Sequence, residues 1–288
     1  DSTRSFGLNH FPHAAEIQLA CWSLFRQHPD LIPRFALEPG VSFNHKSGWS
    51  LEMMRLINAT ETTTSKHSSA CAVTGRLCTR HSGWAGSEQS WLIATADAAA
   101  LQQRLFGSQM MTFFRQPRSL HVGILNRIGS RRVMGADTLM NDLVKAVQRH
   151  ANTYTLSHVD DMGTMSFAQQ AMWVHSQDII FAPHGAQNVK FIWAQQCAAI
   201  LEIYPKAYYI PGEYLQLARA AGAIQFAAYE GDHPYEDSQR STKDGGLRFR
   251  SRAAVFKSFD IRAAEQALNE MLRSRSSCLK NLLKEVVP

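Results

Sequence analysis

Residues 178–205, DIIFAPHGAQNVKFIWAQQCAAILEIYP, read as a short apolar strand ending in His184-Gly185-Ala186, a helical segment, and a second apolar run that ends at Glu202. Strand, glycine-bearing turn, helix and strand in that order make one crossover of a parallel sheet. In an open parallel α/β sheet, ligands sit beyond the carboxyl ends of the strands. There glycine lets a backbone approach closely and helix N-termini offer unpaired N–H groups to anions. Something is expected to bind at this turn.

The same alternation extends in both directions. Residues 120–125 have a β-like run, 136–150 an amphipathic helical pattern, and 153–159 a β-like run again. Ser166 is placed to cap a helix through residue 175; 179–182 and 198–203 are short buried strands; 213–221 is a helix that stops at Gly222; and 224–229 is one more strand. This alternation predicts a parallel sheet with right-handed crossovers and helices on both faces, a Rossmann-like half of roughly 150 residues. A final helix over 261–273 carries Ile261, Ala264, Leu268, Met271 and Leu272 on one face, suited to packing back across the fold.

The part before residue 117 is less regular. Residues 14–25 predict a buried helix stopped at His28-Pro29, and 50–58 a short helix with Ser50 as its N-cap. The Ser/Thr-rich residues 60–69 predict an exposed loop, 91–94 a strand, 97–106 a helix, and 107–118 a crossing between domains.

The 288 residues, 45% apolar, suffice for two compact domains or one large one. A net charge of +6 and a pI near 9.2 favour anionic partners. The basic residues are scattered, apart from Arg127 with Arg131-Arg132 and the stretch 240–252, and no aromatic-interleaved basic patch of a nucleic-acid binder occurs. Five cysteines at irregular spacing build neither a disulfide scaffold nor a C-x-x-C zinc site. Cys71 and Cys78 could pair across a short loop, which would place the chain in an oxidising compartment. Asn58-Ala59-Thr60 is a glycosylation sequon. No run approaches the ~20 apolar residues of a membrane span, so membrane attachment is expected only through an N-terminal anchor outside this chain.

No G-x-G-x-x-G, Walker lysine loop, G-x-S-x-G elbow or H-E-x-x-H occurs. Three sheet-end loops remain as sites of chemistry: 126–132, 160–166 and 183–188. They converge on one crevice if their strands are neighbours.

Taken together, the Asn126-Arg127 pair with Arg131 and Arg132, SFAQQAMWVHSQDIIFAPHGA at 166–186, and LEIYP at 201–205 resemble the carboxyl-terminal half of glycosyltransferase family 61. That family includes plant xylan arabinosyl- and xylosyltransferases and lumenal O-GlcNAc transferases, and the likeness covers residues 120–231. It implies an α/β, GT-B-like fold, with two Rossmann-like domains facing a cleft and a doubly wound parallel sheet in the second. The expected division is 1–117 on the acceptor side, 118–260 for the nucleotide sugar, and 261–288 as a helix packing back. It also implies metal-independent, inverting transfer of a sugar from a nucleotide donor, expected to be UDP-linked, to a glycan or glycoprotein hydroxyl in the Golgi or endoplasmic reticulum lumen. No cofactor beyond the donor and no nucleic-acid partner is expected. The alternatives are a cytosolic polysaccharide transferase of bacterial type and a Rossmann-like protein that binds nucleotide or phosphate without transfer.

Chemistry assigns candidate roles. Departure of a nucleoside diphosphate needs cationic or N–H stabilisation, which a metal-free site draws from arginine, lysine and helix N-termini. Arg127 lies where such a group is wanted, while Arg131 and Arg132 shape the loop or bind at its rim. His184 either hydrogen-bonds backbone in the turn or contacts the donor, and Gly185 and Ala186 are small so that phosphate can approach. Lys190 stands where the family pattern has Asn or His, and would add phosphate charge. Ser166 completes the donor loop. Glu202 either accepts from a ribose or pairs with Lys206 or Arg219. Asp160-Asp161 lacks the further oxygen ligands of a metal site. The general base is sought in the first half among His10, His13 and Glu16, and Trp49, Trp84 and Trp91 are candidates to stack on sugar rings or to be core.

Overall fold

In a computed structural model of the chain, the described residues are 11–28, 32, 34–37, 48–63, 93–107, 119–129, 131–133, 135–151, 153–206, 208–230 and 261–286. The C-terminal half contains five parallel strands: β3 (Leu120–Leu125), β4 (Tyr154–Val159), β5 (Ile179–Pro183), β6 (Ala199–Tyr204) and β7 (Ile224–Tyr229). They lie in the order β4-β3-β5-β6-β7. The expected strands are therefore present, within a residue at each end. The protein is mixed α/β around a parallel sheet.

The strand order fixes where the helices go. From β3 the chain moves outward to β4 through α4 (Ala136–Val147), then reverses to β5 through α5 (Phe167–Ser176). Crossovers of one hand running in opposite directions place their helices on opposite faces. Leu143, Ala146 and Val147 of α4 accordingly pack with Val122, Ile124, Ile179 and Phe181, whereas Ala171 and Val174 of α5 pack with Leu125, Ile180 and Ala182. Alternate residues of one strand serve the two cores, as the two-residue period requires. Because both faces are covered, β5 and β6 are buried throughout and read as unbroken apolar runs.

In the first half, α1 (Phe11–Phe25), α2 (Trp49–Leu56) and α3 (Thr95–Phe106) contribute Leu19, Met53 and Leu101 to the same core as α5 and α6 (Leu215–Ala220). Asp97 joins α1 to α3: its Oδ1 accepts from Arg26 Nε at 2.5 Å, and its carbonyl accepts from Trp22 Nε1 at 2.8 Å.

Several expectations need correction. Ser50 does not cap α2: Gly48 occupies the N-cap with φ 61°, and Ser50 is buried in the first turn with its carbonyl accepting from Gln18 Nε2. Residues 60–63 form strand β2 (Thr60–Thr63), parallel to β1 (Arg34–Leu37), because β-branched threonines suit an extended pairing as well as a loop. Residues 93–94 are not strand; 91–92 and most of the crossing at 107–118 lie outside the described residues. The helical segment expected after β5 is present, as a 3₁₀ helix, Ala186–Trp193.

The final helix, α7, runs Ile261–Val286, well past residue 273. Two ties hold it. Cys278 is disulfide-bonded to Cys197, which precedes β6, and Arg275 hydrogen-bonds the buried Asp178 at the start of β5. Asp178 also accepts from His121 N at 2.9 Å and Gln195 Nε2 at 3.0 Å. Cys21 is in a disulfide as well, while Cys71 and Cys78 lie outside the described residues. No described helix is long and apolar enough to cross a membrane.

Candidate active site

The sheet reverses its order of growth between β3 and β5, and it is at such a point that the strand-end loops part and leave a crevice. The loops after β4, β3 and β5 meet there because these three strands are consecutive neighbours. A cavity of ≈ 340 Å³ opens between them. Arg127 comes from the end of β3, Asp160 and Asp161 from the end of β4, and Ala186, Gln187 and Lys190 from the 3₁₀ helix after β5. Trp49 of α2 closes the cavity from the first half of the chain.

The loop after β3 is set by Asn126. Its buried side chain donates to Val133 O at 3.1 Å and to Asp160 Oδ1 at 3.0 Å, and its Oδ1 accepts from Val133 N at 2.8 Å. The chain between Asn126 and Val133 is thereby closed into a tight loop that presents Arg127. Nη1 of Arg127 donates to the carbonyl of His184 at 3.3 Å. A Cβ on Gly185 would overlap that same Nη1. Gly185 has φ 169°, an extended backbone that any residue adopts, so what a side chain here would meet is the guanidinium, which would have to shift to admit it. Burial, then the charge of Arg131, lowers the Arg127 pKa to about 10, which leaves it cationic at neutral pH. Nε of Arg127 and Nε2 of Gln187 are buried donors with no hydrogen-bond partner among the described residues.

Lys190 is 5% exposed and lines the same cavity. Burial pushes its pKa down to about 8, opposed by the charge of Asp161. Arg127, Gln187 and Lys190 thus gather donors and positive charge at the strand-end turn. This arrangement suits a phosphate or diphosphate.

His184 takes a different position from Arg127. It is 1% exposed and is not among the residues lining the cavity. The β5–β6 register sets Ala182 beside Glu202, which brings Glu202 Oε1 to 2.7 Å from His184 Nδ1. Glu213 Oε2 lies 3.1 Å from Nε2, so both ring nitrogens face carboxylates. Desolvation opposes charge on the ring, but the pull of Glu202 and Glu213 prevails and the pKa is raised. Tyr204 stacks on the ring with centroids 5.0 Å apart, and Tyr208 and Tyr214 flank it at 5.3 and 5.4 Å.

Glu202 is fully buried and accepts from four donors: His184, Asn188 Nδ2 at 2.8 Å, Tyr204 OH at 2.5 Å, and Gln225 Nε2. Its partner is therefore His184 rather than Lys206 or Arg219. Arg131, at φ 62°, lays its guanidinium over Tyr208 at 5.0 Å, and Arg132 is exposed at the loop rim. Ser166 caps α5, accepting from Gln169 N while its own N–H donates to Gln169 Oε1. Asp161 Oδ1 accepts from Gly163 N and starts the short 3₁₀ turn Met162–Thr164.

The structure thus brings Arg127, Ala186 and Lys190 together at one cavity, with Gly185 beneath Arg127. It holds His184 and Glu202 in an adjoining buried network and leaves Ser166 in a helix cap. His10 lies outside the described residues; His13 falls in α1 with its side chain undescribed; and Glu16, half-buried in α1, is not among the cavity residues. Sequence reasoning missed Gln187, Glu213 and the tyrosines. The available signal was density: Tyr204, Tyr208, Tyr209 and Tyr214 fall with Glu202 and Glu213 in one short stretch.

A scan against protein-family models matches Glycosyltransferase 61 over residues 32–201, more than half of the chain. The protein belongs to the glycosyltransferase 61 family. It is a glycosyltransferase, and a donor and an acceptor are its substrates. The match takes in β3 through the first residues of β6, and with them Arg127, Asp160, Gly185 and Lys190, whereas Glu202 and Glu213 lie just beyond it. A search of curated proteins finds no match.

Proposed function

We propose that this glycosyltransferase transfers a sugar from a nucleoside diphosphate, UDP being the expected nucleotide, to a hydroxyl of a glycan or glycoprotein with inversion at the anomeric carbon. The observation that carries this reading is the placement of Arg127 and Lys190 on one cavity at the reversal point of the sheet. The guanidinium and ammonium offset the charge that grows on the departing diphosphate, without a requirement for a metal. Gln187 and Arg127 Nε supply further donors. Gly185 leaves Arg127 room to sit against the β5 backbone, and the His184–Glu202–Glu213 network acts by positioning that backbone rather than by touching the donor.

In this reading the five-stranded sheet is the donor half of a GT-B arrangement, with the parallel pair β1–β2 in the described part of the facing half. Trp49, which borders the cavity, is the aromatic candidate to stack on the sugar. The Cys197–Cys278 bond supports an oxidising setting such as the secretory lumen.

Release of UDP from UDP-xylose, UDP-arabinose and UDP-N-acetylglucosamine tests the reading. Wild type should turn over at least one of them, and Arg127→Ala should lower that turnover at least 10-fold. Equal turnover by the two proteins, or none of any donor by wild type, would count against it.

A further inference from the structure

The cavity has a neighbour. A second cavity, of ≈ 380 Å³, is bordered by Asn126, Arg132 and Gly135 at the start of α4, and it shares Arg127, Ile128 and Asp160 with the first. These three residues form a common wall. Of them only Asp160 carries a carboxylate, the kind of group that takes a proton from an attacking hydroxyl.

Asp160 is anchored on one side and open on the other. Its Oδ1 accepts from Asn126 Nδ2 at 3.0 Å and lies 3.0 Å from His158 Nε2. No described residue holds its Oδ2, and the side chain is 59% exposed. A carboxylate held through one oxygen, on a residue that borders both cavities, is placed as a base that serves an acceptor in one and a donor in the other.

We propose that Asp160 is the general base of the transfer, with the acceptor hydroxyl entering from the second cavity. The assignment rests on the donor reading given above for the first cavity. In the step, Asp160 Oδ2 takes the hydroxyl proton as the acceptor oxygen bonds to the anomeric carbon. The bond from that carbon to the β-phosphate oxygen breaks, and its electron pair leaves with the diphosphate. Asn126 is a positioning residue. It holds Asp160 and, through Val133, the loop that carries Arg127, so acid and cation are set by one side chain.

The candidates from the first half of the chain are not needed for this step. Asp161, the other acid on the first cavity, does not border the second and is engaged by Gly163 N.

The test uses water and azide as acceptors for the UDP-sugar that wild type hydrolyses fastest among UDP-xylose, UDP-arabinose and UDP-N-acetylglucosamine. Asp160→Asn keeps an oxygen for Asn126 and removes the base; Asp160→Ser serves if the first variant does not fold. Hydrolysis by the variant should fall roughly 100-fold or more, the usual contribution of a general base, while stabilisation by UDP persists. Sodium azide, already anionic, needs no base and should restore UDP release with formation of the glycosyl azide. Hydrolysis within 10-fold of wild type would overturn the assignment. So would lost hydrolysis that azide does not restore in a variant still stabilised by UDP. A wild type that neither binds UDP nor hydrolyses any of the three donors would instead overturn the donor reading itself.

Discussion

The guanidinium of Arg127 occupies the space that a side chain on Gly185 would fill, with its Nη1 donating to the carbonyl of His184 one residue earlier. The two residues come from strands that are far apart in sequence but adjacent in the sheet. This contact sets how the turn after β5 meets the loop after β3.

Gly185→Ala should therefore act as an arginine mutation. The added methyl group displaces Arg127 without touching the core, and UDP affinity should fall about 10–100-fold, the usual cost of losing a hydrogen bond to a charged group. Arg127→Ala should cost about the same, and the double variant little more than either alone, because the two changes remove one interaction. Calorimetric titration of the three variants with UDP measures this.

Lys190 should give the affinity for donor a pH dependence. Burial lowers its pKa to about 8, so the ammonium is lost as the pH rises through that value and with it a charge on the diphosphate. The KM for donor should rise above about pH 8 in wild type, while Lys190→Met should have a higher KM at pH 7 and no such rise. For folding, the sign is the reverse of a stabilising pair. Between about 8 and the ordinary lysine value of 10.5 the unfolded chain binds more protons, so this residue makes stability increase with pH across that window.

His184 should affect stability in the opposite sense. Its pKa is raised above 6.5 because Glu202 and Glu213 outweigh the cost of burial. The stabilisation it contributes is complete below about pH 6.5 and declines as the pH climbs through the raised folded value. His184→Gln removes the cation from between two carboxylates and should destabilise by about 3–5 kcal/mol in mildly acidic buffer, with a smaller deficit as the pH rises. Denaturant unfolding of both proteins over a pH series gives the comparison.

The Cys197–Cys278 bond closes a sequence separation of 81 residues and fastens α7 to the sheet. Cys278→Ser should lower stability by about 2–4 kcal/mol. Since the bond lies away from the cavity residues, UDP affinity below the melting transition should change little. Thermal unfolding with and without UDP separates the two effects.

The middle of the sheet was legible because β5 and β6 are buried on both faces. Ile179, Ile180, Phe181 and Ala182 cannot be read as anything amphipathic, and the helices between such runs are marked by Ser166 at one end and Gly222 at another. Local signals served less well where the backbone made its own choice, as at Gly48, which took the cap expected of Ser50. The helix at the end of the chain outran its apolar pattern because distant partners, Cys197 and Asp178, hold it.

Arg127 and Gly185 were legible as members of one strand-end site, since a glycine and an arginine after neighbouring strands have few other reasons to coincide. The use of Gly185 was not: it makes room for Arg127, and nothing in a linear sequence says which side chain will need the space. The pairing of His184 with Glu213 was hidden for the same reason. Glu213 belongs to no strand end, and nothing in the linear sequence places it against the ring.

The central claim is that Arg127 and the turn after β5 form a diphosphate site. Thermal-shift titration of wild type and Arg127→Ala with UDP, GDP, ADP and UMP tests it most directly. Wild type should be stabilised selectively by a nucleoside diphosphate, by about 2.7 kcal/mol at a hundredfold excess over Kd, and the variant should lose most of that response. A wild type indifferent to every nucleotide, or a variant that responds as wild type does, would contradict the account.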